Sequence, residues 1–304
     1  MTSNGRRLRH TALVYQSQDE YVIQSVAFLR EGLEASEGAI VAHTPSGLAV
    51  MREELGSDAE LVKFVDVGTA YTRPVQTLAA YHKVFADQLQ KTASLRAVAD
   101  VQFGPDPREW DLWMGYEAIF NHSFSHLPAW VWCSYNASGK PDRLLETVWR
   151  THPDVLSAHT WNTSTHYEDP VRLLREITPE PAPLSGLRSI PFGRDSEEFR
   201  ERLGHEMVAE RVSEAKALDM LVAANEIATN AVEHGGGVEH VRVGRAEGRF
   251  VCEIIDRGIG FDDPSAGYLA PRPGIGSGLW VARQLTWLIE FFQSPNGFTT
   301  RIWL

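Results

Sequence analysis

Three groups of residues in the second half of the chain have the types and spacings that chemistry requires. Glu226 and Asn230 lie four apart in a run whose apolar side chains Leu218, Leu221, Ala224, Ala228 and Ala231 recur at steps of three and four. They therefore project from neighbouring turns of one helical face, with His234 one further turn along. The helix should stop at Gly235-Gly236-Gly237. A Mg²⁺ ion takes few protein oxygens beside nucleotide phosphates and water, so the Asn230 amide oxygen suits it, and the Glu226 carboxylate can accept a proton. The strand-like run Phe250 to Ile255 leads into Asp256-Arg257-Gly258-Ile259-Gly260, a carboxylate at a strand end beside two glycines that let the backbone approach a ligand closely. Such a carboxylate can accept a hydrogen bond from an exocyclic amine, as adenine offers. Gly274-Ile275-Gly276-Ser277-Gly278-Leu279 then opens an amphipathic helix, Leu279 to Leu285, whose free N-terminal amides can receive phosphate. Each group alone is a weak signal. In the order E-x-x-x-N, D-x-G-x-G about 26 residues on and G-x-G-L about 16 further, they point to an ATP site with Mg²⁺.

The same set resembles the GHKL superfamily of ATPases and kinases over about residues 185–304. Glu226 to Gly235 resembles its asparagine box, Asp256 to Gly260 its first glycine box and Gly276 to Leu279 its second. The short form and the residues around Asn230 are most similar to the anti-sigma-factor serine kinases of the RsbW type. The resemblance implies a Bergerat-type α/β sandwich, an antiparallel or mixed sheet backed by helices, with ATP between the helices and a lid. It implies Asn230 as the Mg²⁺ ligand, Glu226 as general base and Asp256 as the adenine contact. Further ATP contacts implied are His234, Gly258, Gly260, Gly276, Ser277, Gly278 and Leu279. Glu233 stands where such proteins often carry arginine. Phe261 to Ile275 would be a short lid, with Arg272 a phosphate contact. A closing hairpin is expected from Trp287 to Gln293 and Phe298 to Leu304, joined by Ser294-Pro295-Asn296-Gly297.

The elements upstream alternate strand and helix. Short apolar runs at Thr11 to Tyr15, Ala39 to His43, Val62 to Val67, Leu95 to Val101 and Ala129 to Cys133 have the length of buried strands. Helical periodicity fills Tyr21 to Ala35, Leu78 to Leu89 and Leu112 to Phe124. Repeated β-α-β order predicts a parallel sheet covered on both faces. Its strand ends would offer Tyr15, Ser17, His43, Thr44, Asp66 and Tyr135 to a ligand. No phosphate-binding loop of the G-x-x-x-x-G-K-[ST] form occurs. His122 and His126, four apart, have metal-ligand spacing but no recognisable third ligand, so a structural or solvent-facing role is expected for them, as for His152, His159 and His166. Glu117 and Asn121 are expected on a helix surface.

Residues 8–170 resemble the MEDS sensory domains, a RecA- or KaiC-like α/β family, through His10 to Tyr15, Phe28 to Leu33 and Trp132 to Ala137. Residues 171–186 form a proline-rich linker, in which a helix-like Val171 to Ile177 precedes three prolines, and residues 187–304 form the ATPase-like domain. The combination resembles the RsbA-type anti-sigma regulators.

Composition bounds the rest. A chain of 304 residues with 43% hydrophobic and 23% charged residues is an ordinary two-domain globular protein. Its formal charge, 29 − 40 = −11, excludes sequence-independent attraction to nucleic acid or anionic membrane. No apolar run approaches about 18 residues, so neither a membrane span nor a signal peptide is expected, and the cytoplasm is. Cys133 and Cys252 form no disulfide framework. The expected activity is that of a serine kinase that phosphorylates an anti-anti-sigma protein of the STAS type and sequesters a sigma factor, under an unknown small-molecule signal. A homodimer is one assembly that the resemblance implies. The alternatives are an ATP-gated binding module without kinase activity and a sensor histidine kinase, for which His205 lies only about 20 residues before Glu226, too close for a separate two-helix hairpin.

Overall fold

The apolar runs of the first half do become strands, and the periodic segments between them helices. In the computed structural model, which describes residues 7–304 except 71–72, 102–106, 139–141, 178–180, 194, 262, 270 and 272–275, the first unit ends at Ile177 and the second starts at Thr178. The first unit runs β1 (Arg9–Tyr15), α1 (Gln18–Glu34), β2 (Gly38–His43), α2 (Pro45–Leu55), β3 (Val62–Asp66), α3 (Val67–Ala70), α4 (Pro74–Leu89), β4 (Leu95–Asp100), α5 (Pro107–Phe124), β5 (Ala129–Asn136), α6 (Asp142–Thr151), β6 (Asp154–Ser157), β7 (Thr160–Thr163) and α7 (Pro170–Ile177).

The sheet order is β3-β2-β4-β5-β1-β6-β7, parallel except for the β6–β7 pair. Helices cover both faces. Tyr21, Val26 and Leu29 of α1 and Leu48 and Met51 of α2 pack on Leu13, Val41, Val98 and Trp132 of one face. Tyr81 and Phe85 of α4 and Tyr116 and Phe120 of α5 meet Ile40, Ala97, Val131 and Cys133 of the other. Each fully buried side chain such as Leu29 or Met51 contributes about 1.5–3 kcal/mol relative to exposure.

Two expected pocket residues turn out to be helix caps. The Ser17 hydroxyl accepts the Glu20 N–H at the start of α1, while the Glu20 carboxylate reaches back to the N–H of Gln16, the residue before the cap. Thr44 accepts the Gly47 N–H at the start of α2, with Pro45 in the first turn. That cap and proline were the sequence signal for α2, a helix that apolar periodicity missed. The linker expected from residue 171 begins later, because α7 buries Leu173 and Leu174 and packs on α5. Glu117 and His152 are wholly buried and not solvent-facing.

The second unit runs β8 (Arg188–Ile190), α8 (Ser196–Ala209), α9 (Glu214–Glu233), β9 (Val238–Ala246), β10 (Arg249–Asp256), α10 (Gly278–Leu285), β11 (Leu288–Ser294) and β12 (Gly297–Trp303). Its five strands, in the order β11-β12-β10-β9-β8, are antiparallel throughout. Both faces differ sharply in chemistry. One carries Val241, Val243, Cys252, Ile254 and Ile302, which pack against Phe199, Leu203 and Met207 of α8, Met220, Ile227 and Ala228 of α9 and Ala282 of α10. The other carries a row of directly opposed charges across four strands, Arg242, Glu253, Arg301 and Glu290. Arg301 donates to Glu253 at 2.8 Å and Arg242 donates to its other oxygen at 3.0 Å. Arg301 and Arg242 also reach the carbonyls of Ala182 and Leu184, so the proline-rich segment covers this row.

Glu253 and Arg301 at the centre of the row are buried, with Arg242 and Glu290 half-buried at its sides, and an unpaired buried ion keeps its desolvation cost and loses its partner. Glu253→Ala leaves Arg301 facing only Glu290 and should cost the second unit about 3 kcal/mol, read as a lowered denaturation midpoint in urea. An unchanged midpoint would show that the row contributes nothing.

Candidate functional site

Helix α9 is built to approach its neighbours closely. Ala223, Ala224, Ala228 and Ala231 are all buried, and their small side chains bring the helix down onto the sheet and beside α10. Glu226 and Asn230 fall on the adjoining half-buried face. At the far end, the Gly235 and Gly237 N–H groups both return to the Ala231 carbonyl, with Gly236 and Gly237 at positive φ. This termination places Gly235 against the last residue of β10. A Cβ at Gly235 would lie 2.6 Å from the Asp256 carboxyl carbon, and one at Gly258 would lie 3.1 Å from Gly235 itself.

Between these glycines sits the Asp256 carboxylate, 7% exposed, with one oxygen accepting the Gly258 N–H at 2.8 Å. Burial holds its carboxyl above the ordinary aspartate range, while the Gly258 N–H pulls the other way. Gly260 adopts positive φ with the Phe298 ring packed where a side chain would stand. Across the site, a Cβ at Gly278 would collide with the Glu226 carboxylate, so the second glycine group meets the acidic residue of α9 directly. Ser277 caps α10 without a side-chain bond, so among the described residues the first amides of that helix have no side-chain cap, and a Cβ at Gly276 would meet none of those residues within 4 Å.

The structure thus brings Glu226 to Gly278 and Asp256 to Gly235 and Gly258. His234 is different: it is the exposed C-cap of α9, and its ring lies 3.9 Å from the Glu233 carboxylate. Leu279, half-buried, packs against the core and against Gly267. Arg272, with Gly274 and Ile275 of the expected lid, lies outside the described residues. Sequence reasoning overlooked Arg283, whose buried guanidinium donates to the Ala266 carbonyl at 2.8 Å and sits over the Tyr268 ring. It fastens the segment after the first glycine group onto α10. Its place in the last turn of an amphipathic helix was the available signal.

At the strand ends of the first unit, the Tyr15 hydroxyl donates to Asp100 at 3.2 Å and His43 Nδ1 lies 3.6 Å from the same carboxylate. Asp66 accepts the Gly68 N–H, and Tyr135 is buried.

An antiparallel sheet with helices on one face, with glycines set against Asp256 at the end of β10 and against Glu226 of α9, is the architecture of an ATPase-type nucleotide-binding domain. Family comparison agrees: residues 195–304 match the family described as histidine kinase-like ATPase domain, and residues 9–153 match MEDS, described as methanogen/methylotroph, DcmR sensory domain. The chain therefore carries a MEDS domain followed by a histidine kinase-like ATPase domain. No curated protein matches it. Among the described residues, no helix is long and apolar enough to cross a membrane.

A carboxyl with a raised folded-state pKa holds its proton more tightly in the folded chain. The stability it lends is greatest below its ordinary titration range and falls as pH rises through the raised one. Asp256→Asn, which cannot ionise, should therefore unfold at a higher temperature than the native chain at pH 7. That gap should narrow as the pH is lowered toward about 4 in thermal melts. A variant less stable than the native chain at pH 7 would contradict this.

Proposed function

We propose that this protein is an ATP-dependent serine kinase of the anti-sigma type. It phosphorylates a serine of a STAS-domain anti-anti-sigma partner, otherwise holds a sigma factor, and works in the cytoplasm under a signal received by its MEDS domain. The observation that carries this reading is the Glu226 carboxylate set against Gly278 at the uncapped head of α10. A carboxylate next to helix N-terminal amides supports the reading, because phosphoryl transfer needs a proton acceptor near the phosphate.

In this reading the residues divide the work. The Asp256 carboxylate accepts a hydrogen bond from the exocyclic amine of adenine, and Gly235, Gly258 and Gly260 let the base approach the backbone. The Asn230 amide oxygen would hold Mg²⁺, and the amides of Gly278 and Leu279 would take phosphate oxygens, with Gly276 and Ser277 alongside; Arg272, expected as a further phosphate contact, lies outside the described residues. His234, exposed beside Glu233, takes no part in this division. Bound Mg²⁺ and ATP supply the transferable phosphoryl group and neutralise its charge. Glu226 accepts the proton of the partner's serine hydroxyl, whose oxygen is thereby freed to attack. The histidine kinase alternative is disfavoured because His205 is on α8, a helix packed on α9 within the ATPase unit itself.

The test incubates the full chain with γ-labelled ATP, Mg²⁺ and the STAS-domain proteins of the same genome. Label should appear on a partner serine. Glu226→Gln should keep nucleotide binding and lower transfer by roughly 10²- to 10⁴-fold, while Asn230→Ala should weaken binding of the Mg²⁺ complex itself. ATP binding with no labelled partner would replace the kinase with an ATP-gated binding module, and label on His205 would make it a histidine kinase.

A further inference from the structure

Deep in the first unit, four side chains from separate elements converge: His10 of β1, Glu117 of α5, Cys133 of β5 and His152, which follows α6. Their relative exposures are 2, 0, 2 and 0%, and one ligand atom from each lies within 4.8 Å of all the others. His10 Nε2 is 3.1 Å from Cys133 Sγ and 3.6 Å from a Glu117 oxygen, and His152 Nε2 is 3.7 Å from that same oxygen. Ligands on a tetrahedral zinc ion, bonded at about 2.0–2.3 Å, lie roughly 3.3–3.8 Å apart.

The imidazoles are oriented as metal ligands are. His10 Nδ1 lies 3.1 Å from the Asn121 side-chain oxygen, and the Asn121 amide nitrogen donates in turn to the Thr151 carbonyl at 2.8 Å. Asn121 is thereby fixed with its oxygen toward His10, which assigns the ring proton to Nδ1. His152 Nδ1 lies 3.0 Å from the Val148 carbonyl, an acceptor only, which assigns its proton likewise. Both Nε2 lone pairs consequently face the middle of the cluster. His152 Nε2 has no hydrogen-bond partner there. Holding the far ring nitrogen with an amide or a carbonyl is how proteins orient imidazole toward a metal.

Charge points the same way. Two neutral imidazoles, one thiolate and one carboxylate together carry −2, the charge that a divalent cation cancels in a site without water.

We propose that His10, Glu117, Cys133 and His152 form a buried binding site for one divalent transition-metal ion, zinc foremost, in the MEDS domain. Metal binding releases the thiol proton of Cys133 and the carboxyl proton of Glu117 to solvent and forms four metal–ligand bonds. Four protein ligands leave no open coordination position, so the ion is structural and its binding energy stabilises the domain. The nitrogen, sulfur and oxygen donor set suits Zn²⁺, Co²⁺ or Fe²⁺ and not Mg²⁺ or Ca²⁺. This site is independent of the ATP site and of the kinase reading.

The test uses the untagged full chain and Co²⁺ as the probe. After incubation and dialysis, the native chain should retain one Co²⁺ per chain, with the visible bands of tetrahedral cobalt and a near-ultraviolet thiolate-to-cobalt band. Cys133→Ser, an isosteric change, should lose the thiolate band, and Asn121→Ala should weaken Co²⁺ binding roughly 10- to 100-fold. His122→Ala/His126→Ala, which removes the exposed pair at the end of α5 and in the turn after it, should bind as the native chain does. Failure of the natively folded chain to retain Co²⁺ would overturn the proposal. So would a thiolate band that persists in Cys133→Ser, or Co²⁺ binding lost with His122 and His126.

Discussion

The second unit depends on one close approach, the contact of Gly235 at the end of α9 with Asp256 and Gly258 at the end of β10. Any side chain at Gly235 would meet the Asp256 carboxyl, and one at Gly258 would meet both Asp256 and Gly235. Removing both Cβ atoms lets a helix terminus and a strand terminus close around a carboxylate that has lost most of its water. That carboxylate keeps one oxygen bonded to the Gly258 N–H and titrates above its normal range. Its desolvation costs stability, and a ligand that donates a hydrogen bond to it recovers part of that cost. The alanines of α9 serve the same end, since a larger side chain at Ala228 or Ala231 would lift the helix off the sheet and open the contact.

How much of this was legible in sequence follows from what each residue type can do locally. The helix carrying Glu226 and Asn230, its glycine terminus, the strand ending at Asp256 and the closing hairpin were readable, because periodicity, glycine and turn chemistry act over a few residues. The contact between Glu226 and Gly278 was not. It depends on how α9 packs beside α10, and spacing in sequence contains no such distance. His234 shows the converse limit. It continues the spacing of Glu226 and Asn230 in sequence, yet α9 ends there and its ring turns to solvent beside Glu233. The face ran out with the helix.

In the first unit the same division holds. Strand runs were clear because a doubly covered parallel sheet buries both sides of each strand, leaving continuous apolar stretches. Elements without such runs went unseen: α2, which its cap and proline announced, and the β6–β7 pair, whose four-residue strands mix Asp, Thr, Trp and Asn. Glu117 and Asn121 read as helix surface because no glycine-rich strand end follows them and polar side chains on a helix ordinarily face water. The sheet and α7 cover α5 from different sides, so its polar residues are interior and need partners.

Three interiors of one chain treat buried charge in three ways. Behind the second sheet, Arg242, Glu253, Arg301 and Glu290 neutralise one another in a fixed row, with donors and acceptors matched across four strands. At Asp256 a single carboxylate remains, half served by one backbone N–H, which suits a polar ligand more than an ion. Around His10 and Glu117, burial holds every group neutral, and an imidazole nitrogen faces inward with no hydrogen-bond partner. The first arrangement is complete without a ligand and rigidifies a sheet. The other two are incomplete as protein alone, because a desolvated acceptor and inward-facing lone pairs lower their free energy only when a donor or a cation meets them. That difference separates scaffold from site in this molecule more sharply than burial does, since all three have buried ionisable groups at their centre.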